Sequence, residues 1–318
     1  MATVVCLERD SLGAQFQLPP LSAPHEWRNY PTTLPEQIVV RLRDADIAVV
    51  NKIILNEKIL AQLPKLKLIA VSATGFNNID VSAANRMGIQ VCNIQNYAGI
   101  GVAEHIFMLI LALRRNLIKY RQKVQTNYWQ QCGQFCFTDF PIDNLHGQTL
   151  GIIGAGDLGQ HVAKLAQAFG MKIQFAAREG QPADGHKVEF QNVLQTSDIL
   201  VVSCPLNEQT RNLIAREQFA QMKSNALLIN AARGGIVNEQ ALLDALTEQQ
   251  IAGAGFDVSD NEPPKEDSPL MQAAQLDNCI LTPHIAWAAT ESRETLIAQL
   301  IENIQGFLDG HPRHIITI

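Results

Sequence analysis

The chain has 318 residues, of which 47% are hydrophobic and 18% are charged, and its formal net charge is -6. This composition excludes a disordered protein, and the length predicts two globular domains. The negative charge and the lack of a Lys/Arg-rich block argue against nucleic acid as a partner, so a small anionic ligand would need a local positive site.

The chain shows no signal for a membrane or for secretion. Its longest apolar run, Ile106–Leu113, is too short to span a bilayer, and the N-terminal MATVVCLERD has charges where a signal peptide keeps its apolar stretch. Most of the six cysteines lie in apolar, strand-like surroundings, which predicts buried free thiols and a cytoplasmic location. Cys132 and Cys136 have a spacing that suits a metal, but no His or second pair flanks them, so we expect no metal site.

Short β-branched runs alternate with helical patterns in the first part of the chain. In chain order the expected elements are a strand at Thr3–Cys6, a helix at Glu36–Arg43, a strand at Ile47–Asn51, a helix at Asn56–Leu63, a strand at Leu68–Ser72, a helix at Val81–Met87 and a strand at Ile89–Asn93. Such alternation with short connections predicts βαβ units and a parallel sheet.

A long helix is predicted next, over Val102–Val124, followed by a mixed, aromatic loop over Asn127–His146. A second alternating series then begins with TLGIIG. Its further strands are expected near Ile173, Leu200, Leu228, Ala254 and Ile280–Leu281, and a last amphipathic helix at Thr290–Leu308.

The sharpest local signal is Gly154-Ala-Gly156-Asp157-Leu158-Gly159. A lone GxGxxG is weak, but here a buried-strand run precedes it and the helical pattern His161–Phe169 follows it. The first glycine permits a tight turn, the second lets the backbone approach a pyrophosphate, and the third lets helix and strand pack closely. The motif predicts a dinucleotide site, although methyltransferases use similar loops.

With this motif, the elements predict an α/β protein with two Rossmann-like domains. These are a flavodoxin-like substrate domain of residues 1–98 plus 286–318 and a dinucleotide-binding domain of residues 99–285. Two long helices are expected to join the domains, and a ligand is expected in a cleft between them.

Three charged or titratable residues follow successive predicted strands: Arg233 in AARGG, Glu262 in DVSDNEPP and His284 in TPHIAWAA. Open parallel sheets bind ligands at this edge. A His can protonate a carbonyl oxygen, a neighbouring carboxylate favours the imidazolium, and an Arg binds a carboxylate with two parallel bonds. Each residue alone also fits a structural role, but their recurrence at three strand ends favours catalysis.

Together these motifs resemble the D-isomer-specific 2-hydroxyacid dehydrogenase family. TGFNNID and GVAEHIFMLILAL in the first part of the chain are also similar to that family, so the resemblance covers essentially the whole sequence. It implies an NAD- or NADP-dependent oxidoreductase that acts on a small 2-keto or 2-hydroxy acid. It also implies a homodimer that uses helix Val102–Val124 between its domains and between its subunits.

The resemblance further implies roles for particular residues. His284 would be the acid/base, Glu262 its partner and Arg233 the group that binds the substrate carboxylate, with Asn51 and the backbone of Thr74 and Gly75 also binding substrate. Asp257 would lie near the nicotinamide carboxamide. The implied cofactor-binding residues are Gly154, Gly156, Asp157, Leu158, Gly159, Ala177, Arg178, Cys204, Pro205, Ala231, Arg233, Asp257 and His284.

Within the family, Asn51-Lys52 and the HIAWAA run with Arg293 look most like the glycerate dehydrogenases, also called hydroxypyruvate reductases. Lactate, glyoxylate and other 2-keto acid reductases remain open, as does a formate- or phosphonate-oxidising enzyme. A dinucleotide-sensing, corepressor-like protein on the same fold is a further alternative, which the lack of an appended tail or basic patch disfavours.

The expected ribose-binding position departs from the family's pattern. Members that prefer NAD usually carry an acidic residue at the end of the strand after GxGxxG, where this chain has Ala177 followed by Arg178 and Glu179. An Arg suits a 2′-phosphate, which slightly favours NADPH, whereas Glu179 could replace the missing acid.

Overall fold

Two parallel sheets organise the chain, and the computed structural model describes residues 1–13 and 15–317. The chain divides into two compact units. The first unit contains Met1–Ala98 and Ala288–Ile318, and the second is the uninterrupted stretch Gly99–Trp287.

The first unit holds a five-stranded parallel sheet. In chain order its elements up to residue 98 are β1 (Ala2–Cys6), β2 (His25–Asn29), α1 (Ile38–Leu42), β3 (Ile47–Val50), α2 (Glu57–Leu60), β4 (Leu68–Val71), α3 (Val81–Arg86) and β5 (Gln90–Cys92), with 3-10 turns at Arg9–Leu12 and Pro35–Gln37. The strand order is β2-β1-β3-β4-β5, which is the flavodoxin-like order. Every residue of β3 and β4 is buried, as expected of central strands covered on both faces.

The second unit begins with three helices: α4 (Gly99–Arg114), α5 (Leu117–Gln125) and α6 (Tyr128–Cys132). Its remaining elements are β6 (Thr149–Ile153), α7 (Asp157–Ala168), β7 (Lys172–Ala176), β8 (Lys187–Val188), α8 (Phe190–Thr196), β9 (Ile199–Val202), α9 (Arg216–Phe219), β10 (Leu227–Asn230), α10 (Glu239–Thr247), β11 (Gly253–Phe256), α11 (Pro269–Ala273) and β12 (Cys279–Leu281).

The seven strands of this unit form a parallel sheet in the order β12-β11-β10-β9-β6-β7-β8. Counted from β6, the order is that of a dinucleotide-binding fold, 3-2-1-4-5-6, extended by one strand. The chain reverses its direction of sheet growth between β6 and β9, so the crevice beyond the carboxyl ends of these two strands is the expected ligand position.

Helix α4 packs on one face of the second sheet. Ile106, Leu109 and Ile110 are fully buried in a core that also contains Ile152 of β6 and Ile229 of β10. Gly255 of β11 permits this approach, because a Cβ atom there would lie 3.0 Å from the Cβ atom of Leu109. The helix and the sheet therefore share one hydrophobic core.

The last helix, α12 (Thr290–Leu308), belongs to the first unit and packs near β4. The Asn303 side chain, which is 1% exposed, donates to the carbonyl oxygen of Asn93 at 2.9 Å. Gln299 donates to the carbonyl oxygen of Gln95 at 2.9 Å and accepts from the Gln95 N–H at 3.1 Å. These bonds fix the segment that follows β5.

The fold class predicted from the sequence is confirmed, but two predicted elements need correction and two strands, β2 and β8, were not predicted. The helix expected over Val102–Val124 is two helices, because Asn116 adopts a left-handed conformation (φ 47°) and its side chain binds the carbonyl of Pro141. The loop expected over Asn127–His146 contains the short helix α6. Strand β2 was not predicted, because HEWRN is a half-exposed, polar edge strand without apolar alternation.

Candidate active site

The glycine turn after β6 has the geometry that its sequence predicts. Gly154 has φ 108°, and a Cβ atom there would lie 2.7 Å from the backbone nitrogen of Cys204. A Cβ atom at Gly159 would lie 2.2 Å from the carbonyl oxygen of Gly154. Only glycine fits either position, because both neighbours are backbone atoms.

Gly156 is open instead of crowded. Apart from its own chain neighbours, no atom of the described residues lies within 4 Å of the Cβ position of Gly156, and this residue caps the N-terminus of α7 without a side-chain hydrogen bond. The first amide groups of this twelve-residue helix therefore face a space that a pyrophosphate can enter. Asp157 and Leu158 form the first turn of α7, and Asp157 lies 3.5 Å from His161.

Ser203, which directly follows β9, contacts the glycine turn after β6. The hydroxyl of Ser203 donates to the carbonyl oxygen of Gly154 at 2.8 Å. Cys204 and Pro205 follow directly, at the point where the order of the strands reverses. Burial raises the pKa of the Cys204 thiol to about 11, so Cys204 presents a neutral thiol to this edge at neutral pH.

Ala177 and Arg178 follow β7 directly, at the end of the strand that comes after the glycine turn. Ala177 is buried, and its N–H donates to the carbonyl of Val188 at 2.8 Å. The exposed Arg178 guanidinium makes no hydrogen bond or ion pair to any other described residue. Glu179, by contrast, accepts a hydrogen bond from the side chain of Gln218 at 3.1 Å.

Arg233 lies in a turn that the buried Asn230 shapes at the end of β10. The Asn230 side chain donates to the carbonyl of Arg233 at 2.9 Å and accepts from the N–H of Ala232 at 3.1 Å. The guanidinium of Arg233 donates to the carbonyl of Ala232 at 2.7 Å, and Ala231 is buried beneath the turn.

The Arg233 turn lies directly against the segment that carries Glu262. A Cβ atom at Gly234 would lie 2.0 Å from the carbonyl oxygen of Ser259, so the two backbones touch. The N–H of Ser259 in turn donates to the Glu262 carboxylate at 3.2 Å. The loops after β10 and β11 therefore pack directly against each other.

Glu262 and His284 form a close pair. Nδ1 of His284 lies 2.6 Å from Oε2 of Glu262, and both side chains are about 30% exposed, with values of 27% and 31%. Because the carboxylate occupies Nδ1, Nε2 is the ring nitrogen that remains to exchange a proton with a ligand.

Asp257 lies at the end of β11, and its side chain is only 1% exposed. Its carboxylate accepts hydrogen bonds from the Thr282 hydroxyl and from the backbone N–H groups of Ile285 and Ala286. The structure thus places this carboxylate beneath the segment that carries His284.

In the first unit, Asn51 lies in a turn after β3 that is held on both sides. The Glu8 carboxylate accepts from the N–H groups of Asn51, Lys52 and Ile53 at 2.6, 2.9 and 3.1 Å. The Asn78 side chain donates to the carbonyl oxygens of Asn51 and Ile53. Side chains of the protein itself therefore bind three amides and two carbonyls of this turn.

Thr74 and Gly75 follow β4, which is the neighbour of β3 in the sheet. The side chain of Asn93 donates to the carbonyl of Thr74 at 2.8 Å. Asn51, Thr74 and Gly75 therefore lie after the carboxyl ends of adjacent parallel strands in this unit.

Sequence reasoning missed the residues that hold these loops. They are Glu8, Asn78, Asn93, His105, Ser203, Asn230 and Thr282. Asn78 and His105 lie within segments that resemble the family, TGFNNID and GVAEHIFMLILAL, but a segment does not reveal which of its side chains makes a contact.

All six cysteines are free thiols, and burial raises the pKa of Cys6 to about 11 and that of Cys92 and Cys279 to about 12. The described residues contain no cluster of three or more His, Cys, Asp or Glu side chains that could hold a metal ion. Across residues 1–13 and 15–317, no helix has both the length and the apolar character needed to span a membrane.

The two parallel sheets and the glycine turn define an α/β protein built to bind a dinucleotide. Residues 107–286 match the family described as D-isomer specific 2-hydroxyacid dehydrogenase, NAD binding domain. The chain belongs to this family. It is an NAD(P)-dependent oxidoreductase that acts on the CH–OH group of a hydroxy acid, or on the corresponding keto acid.

Similar proteins cover nearly the whole chain. A glycerate dehydrogenase from Methylorubrum extorquens is 46% identical over 98% of both chains. A hydroxypyruvate reductase from Blautia hydrogenotrophica is 36% identical over 89% of this chain and 88% of its own. Among solved structures, a D-lactate dehydrogenase from Aquifex aeolicus complexed with NAD and lactic acid has a TM-score of 0.80 at 25% identity, covering 97% of this chain and 96% of its own.

Proposed function

We propose that this protein reduces a small 2-keto acid, either hydroxypyruvate to the D-2-hydroxy acid or glyoxylate to its achiral 2-hydroxy acid, with His284 as the acid/base. The 2.6 Å contact between His284 and Glu262 carries the proposal, because it holds one ring nitrogen and leaves the other for proton transfer. The similarity to a glycerate dehydrogenase and a hydroxypyruvate reductase supports the substrate class.

In this proposal each residue has one task. The bound dinucleotide supplies the hydride. Arg233 binds the substrate carboxylate and polarises the adjacent carbonyl. His284 donates the proton on Nε2 to the oxygen on which negative charge develops, and Glu262 keeps Nδ1 bound while the ring changes charge.

The first unit is proposed to be the substrate domain and the second the dinucleotide-binding domain. Asn51 and the backbone of Thr74 and Gly75 would contact the substrate. The hydrogen bonds that hold the turns containing these residues support this role, because a binding site needs its groups held in place. For the cofactor, we propose the glycine turn with Asp157 and Leu158, and the groups at the ends of the second sheet: Ala177, Arg178, Cys204, Pro205, Ala231, Arg233, Asp257 and His284.

The unpaired Arg178 supports use of NADPH at least as well as NADH. Its guanidinium is exposed beside Ala177 and is not committed to any other described side chain. The contact between Glu179 and Gln218 leaves that carboxylate less free to take the place of a ribose-binding acid.

A homodimer and a cytoplasmic location complete the proposal. Several exposed, large apolar side chains lie on α4, α5 and α6, which supports a protein interface there: Ile100, Met108, Leu117, Ile118, Val124 and Trp129. The free thiols support a reducing compartment. Light scattering of the purified protein and fractionation of cells that express it test these two points.

The test of the activity is a keto-acid panel followed by NAD(P)H absorbance, with wild type beside His284→Gln. We expect hydroxypyruvate or glyoxylate to give the highest kcat/KM, and the variant to lose about a hundredfold or more of the rate. Its affinity for the dinucleotide, measured by fluorescence, should stay nearly unchanged. Turnover near wild type in His284→Gln would remove this residue from the mechanism.

A further inference from the structure

His284 has a backbone conformation that few residues other than glycine adopt. Its φ is 55°, in the left-handed region. Its N–H donates to the carbonyl of Thr282 at 3.0 Å, and its carbonyl accepts from the indole N–H of Trp287 at 2.9 Å. A conformation of this kind persists only where the surroundings impose it.

The buried carboxylate of Asp257 binds the two amides that follow His284. Oδ1 accepts from the N–H of Ile285 at 2.9 Å, and Oδ2 accepts from the N–H of Ala286 at 2.8 Å. Hydrogen bonds to a charged acceptor are stronger than those between neutral groups. Asp257 therefore fixes the peptide groups that set the direction of the His284 side chain.

Two further side chains fix Asp257. The hydroxyl of Thr282 lies 2.6 Å from Oδ1 of Asp257 and must donate its proton to this carboxylate oxygen. Nε2 of His105, on α4, lies 2.9 Å from the same hydroxyl oxygen and donates to it. Two hydrogen bonds therefore connect these residues in series: His105 donates to Thr282, and Thr282 donates to Asp257.

His105 is neutral in this arrangement. Burial lowers its pKa below the usual value, because it disfavours the charged ring, and the nearby Asp257 carboxylate opposes this effect only in part. A neutral ring that carries its proton on Nε2 is a hydrogen-bond donor at that atom, so the bond to Thr282 does not require a charged His105.

We propose that Thr282 and His105 are positioning residues for His284 and act on it through Asp257. The proposal rests on the proposed acid/base role of His284. The hydrogen bonds from His105 and Thr282 orient the carboxylate, the carboxylate holds the amides of Ile285 and Ala286, and these keep the His284 ring at Glu262. A small displacement of an acid/base group is enough to slow proton transfer.

The experiment pairs variants that remove each hydrogen bond with variants that keep it. Thr282→Val and His105→Leu remove the donor, whereas Thr282→Ser and His105→Gln retain one. We expect the first pair to lower kcat about tenfold, with the dissociation constant of NADPH within about twofold of wild type. Thr282→Ser and His105→Gln, which retain a donor, should keep most of the wild-type kcat.

A second readout follows the His284 ring directly. In the protein without cofactor, the NMR signals of the His284 ring should move in Thr282→Val relative to wild type, because the ring contacts Glu262 less well. A change in overall stability alone would not move these signals.

Three results would overturn the proposal. One is a lower melting temperature in Thr282→Val with unchanged kcat and unchanged His284 signals, which makes the contact merely structural. Another is weaker NADPH binding without loss of kcat, which assigns Asp257 to the cofactor alone. A third is loss of rate in Thr282→Ser equal to that in Thr282→Val. His284→Gln, measured in the same assay, distinguishes the positioning role from the proposed function. If His284→Gln keeps its turnover, the proposed function fails. If His284→Gln loses its turnover but Thr282→Val keeps that of wild type, only the positioning role fails.

Discussion

Gly234 and Ser259 are in backbone contact, so that a methyl group on Gly234 would lie 2.0 Å from the carbonyl oxygen of Ser259. The neighbour is a backbone atom and cannot move aside alone. This contact links the turn of Arg233 to the segment of Glu262.

Gly234→Ala should therefore separate the two loops and lower both the melting temperature and kcat, the latter by about tenfold or more. Gly88→Ala is the control for backbone strain alone, because Gly88 has φ 75° but open space around it within the described structure. It should cost about 1 kcal/mol of backbone strain and leave kcat unchanged. Equal effects of the two substitutions on kcat, measured in the same assay, would show that the contact does not matter for activity.

Glu262→Gln should lower kcat for keto-acid reduction by about tenfold or more. The carboxylate of Glu262 orients the His284 ring through its contact with Nδ1, and an amide loses the charge-assisted part of this hydrogen bond. Glutamine keeps the shape of the side chain and can still accept from the N–H of Ser259. The check is kcat of variant and wild type in the same assay, and equal values would mean that the contact does not matter for proton transfer.

Arg233→Lys should raise KM for the keto acid and lower kcat. Lysine retains the positive charge but loses the two-pronged geometry that binds a carboxylate and polarises its neighbour. Steady-state kinetics with the best substrate of the panel measures both constants. If both match those of wild type, Arg233 has only the structural contact with Ala232.

The cofactor preference should change on substitution at two positions. Ala177→Asp with Arg178→Leu supplies a ribose acceptor and removes the cation, so preference by kcat/KM should move toward NADH by about tenfold or more, or about 1.4 kcal/mol. Glu179→Gln is a useful control, because it tests the acid that remains. A strong NADH preference in wild type that disappears in Glu179→Gln would place the ribose on Glu179 and contradict our assignment.

The sequence predicted most strands, because their buried, β-branched runs carry the signal within a few residues. It did not predict the break at Asn116, where an apolar pattern continues across the residue and neither Gly nor Pro marks the turn. Strand β2 was missed for the opposite reason: as a polar edge strand, it is specified by pairing with β1 and not by its own pattern.

The candidate site likewise contains residues that the sequence could indicate and residues that it could not. Arg233, Glu262 and His284 could be proposed because each follows a recognisable strand in a distinctive motif. The residues that hold them could not, because a contact such as that of His105 with Thr282 joins positions 177 residues apart. Nothing local to either residue indicates that its partner exists, and only the packing of α4 on the sheet brings them together.

The division of the first unit into two chain segments has a consequence for synthesis on the ribosome. Strands β1–β5 emerge first, but α12, which binds the backbone at Asn93 and Gln95, is translated last. The second unit is one uninterrupted stretch and can complete its contacts while translation continues. Until α12 has been synthesised, the part of the first unit that it covers lacks its partner, so the unit that begins the chain can be completed only after the second unit has been made.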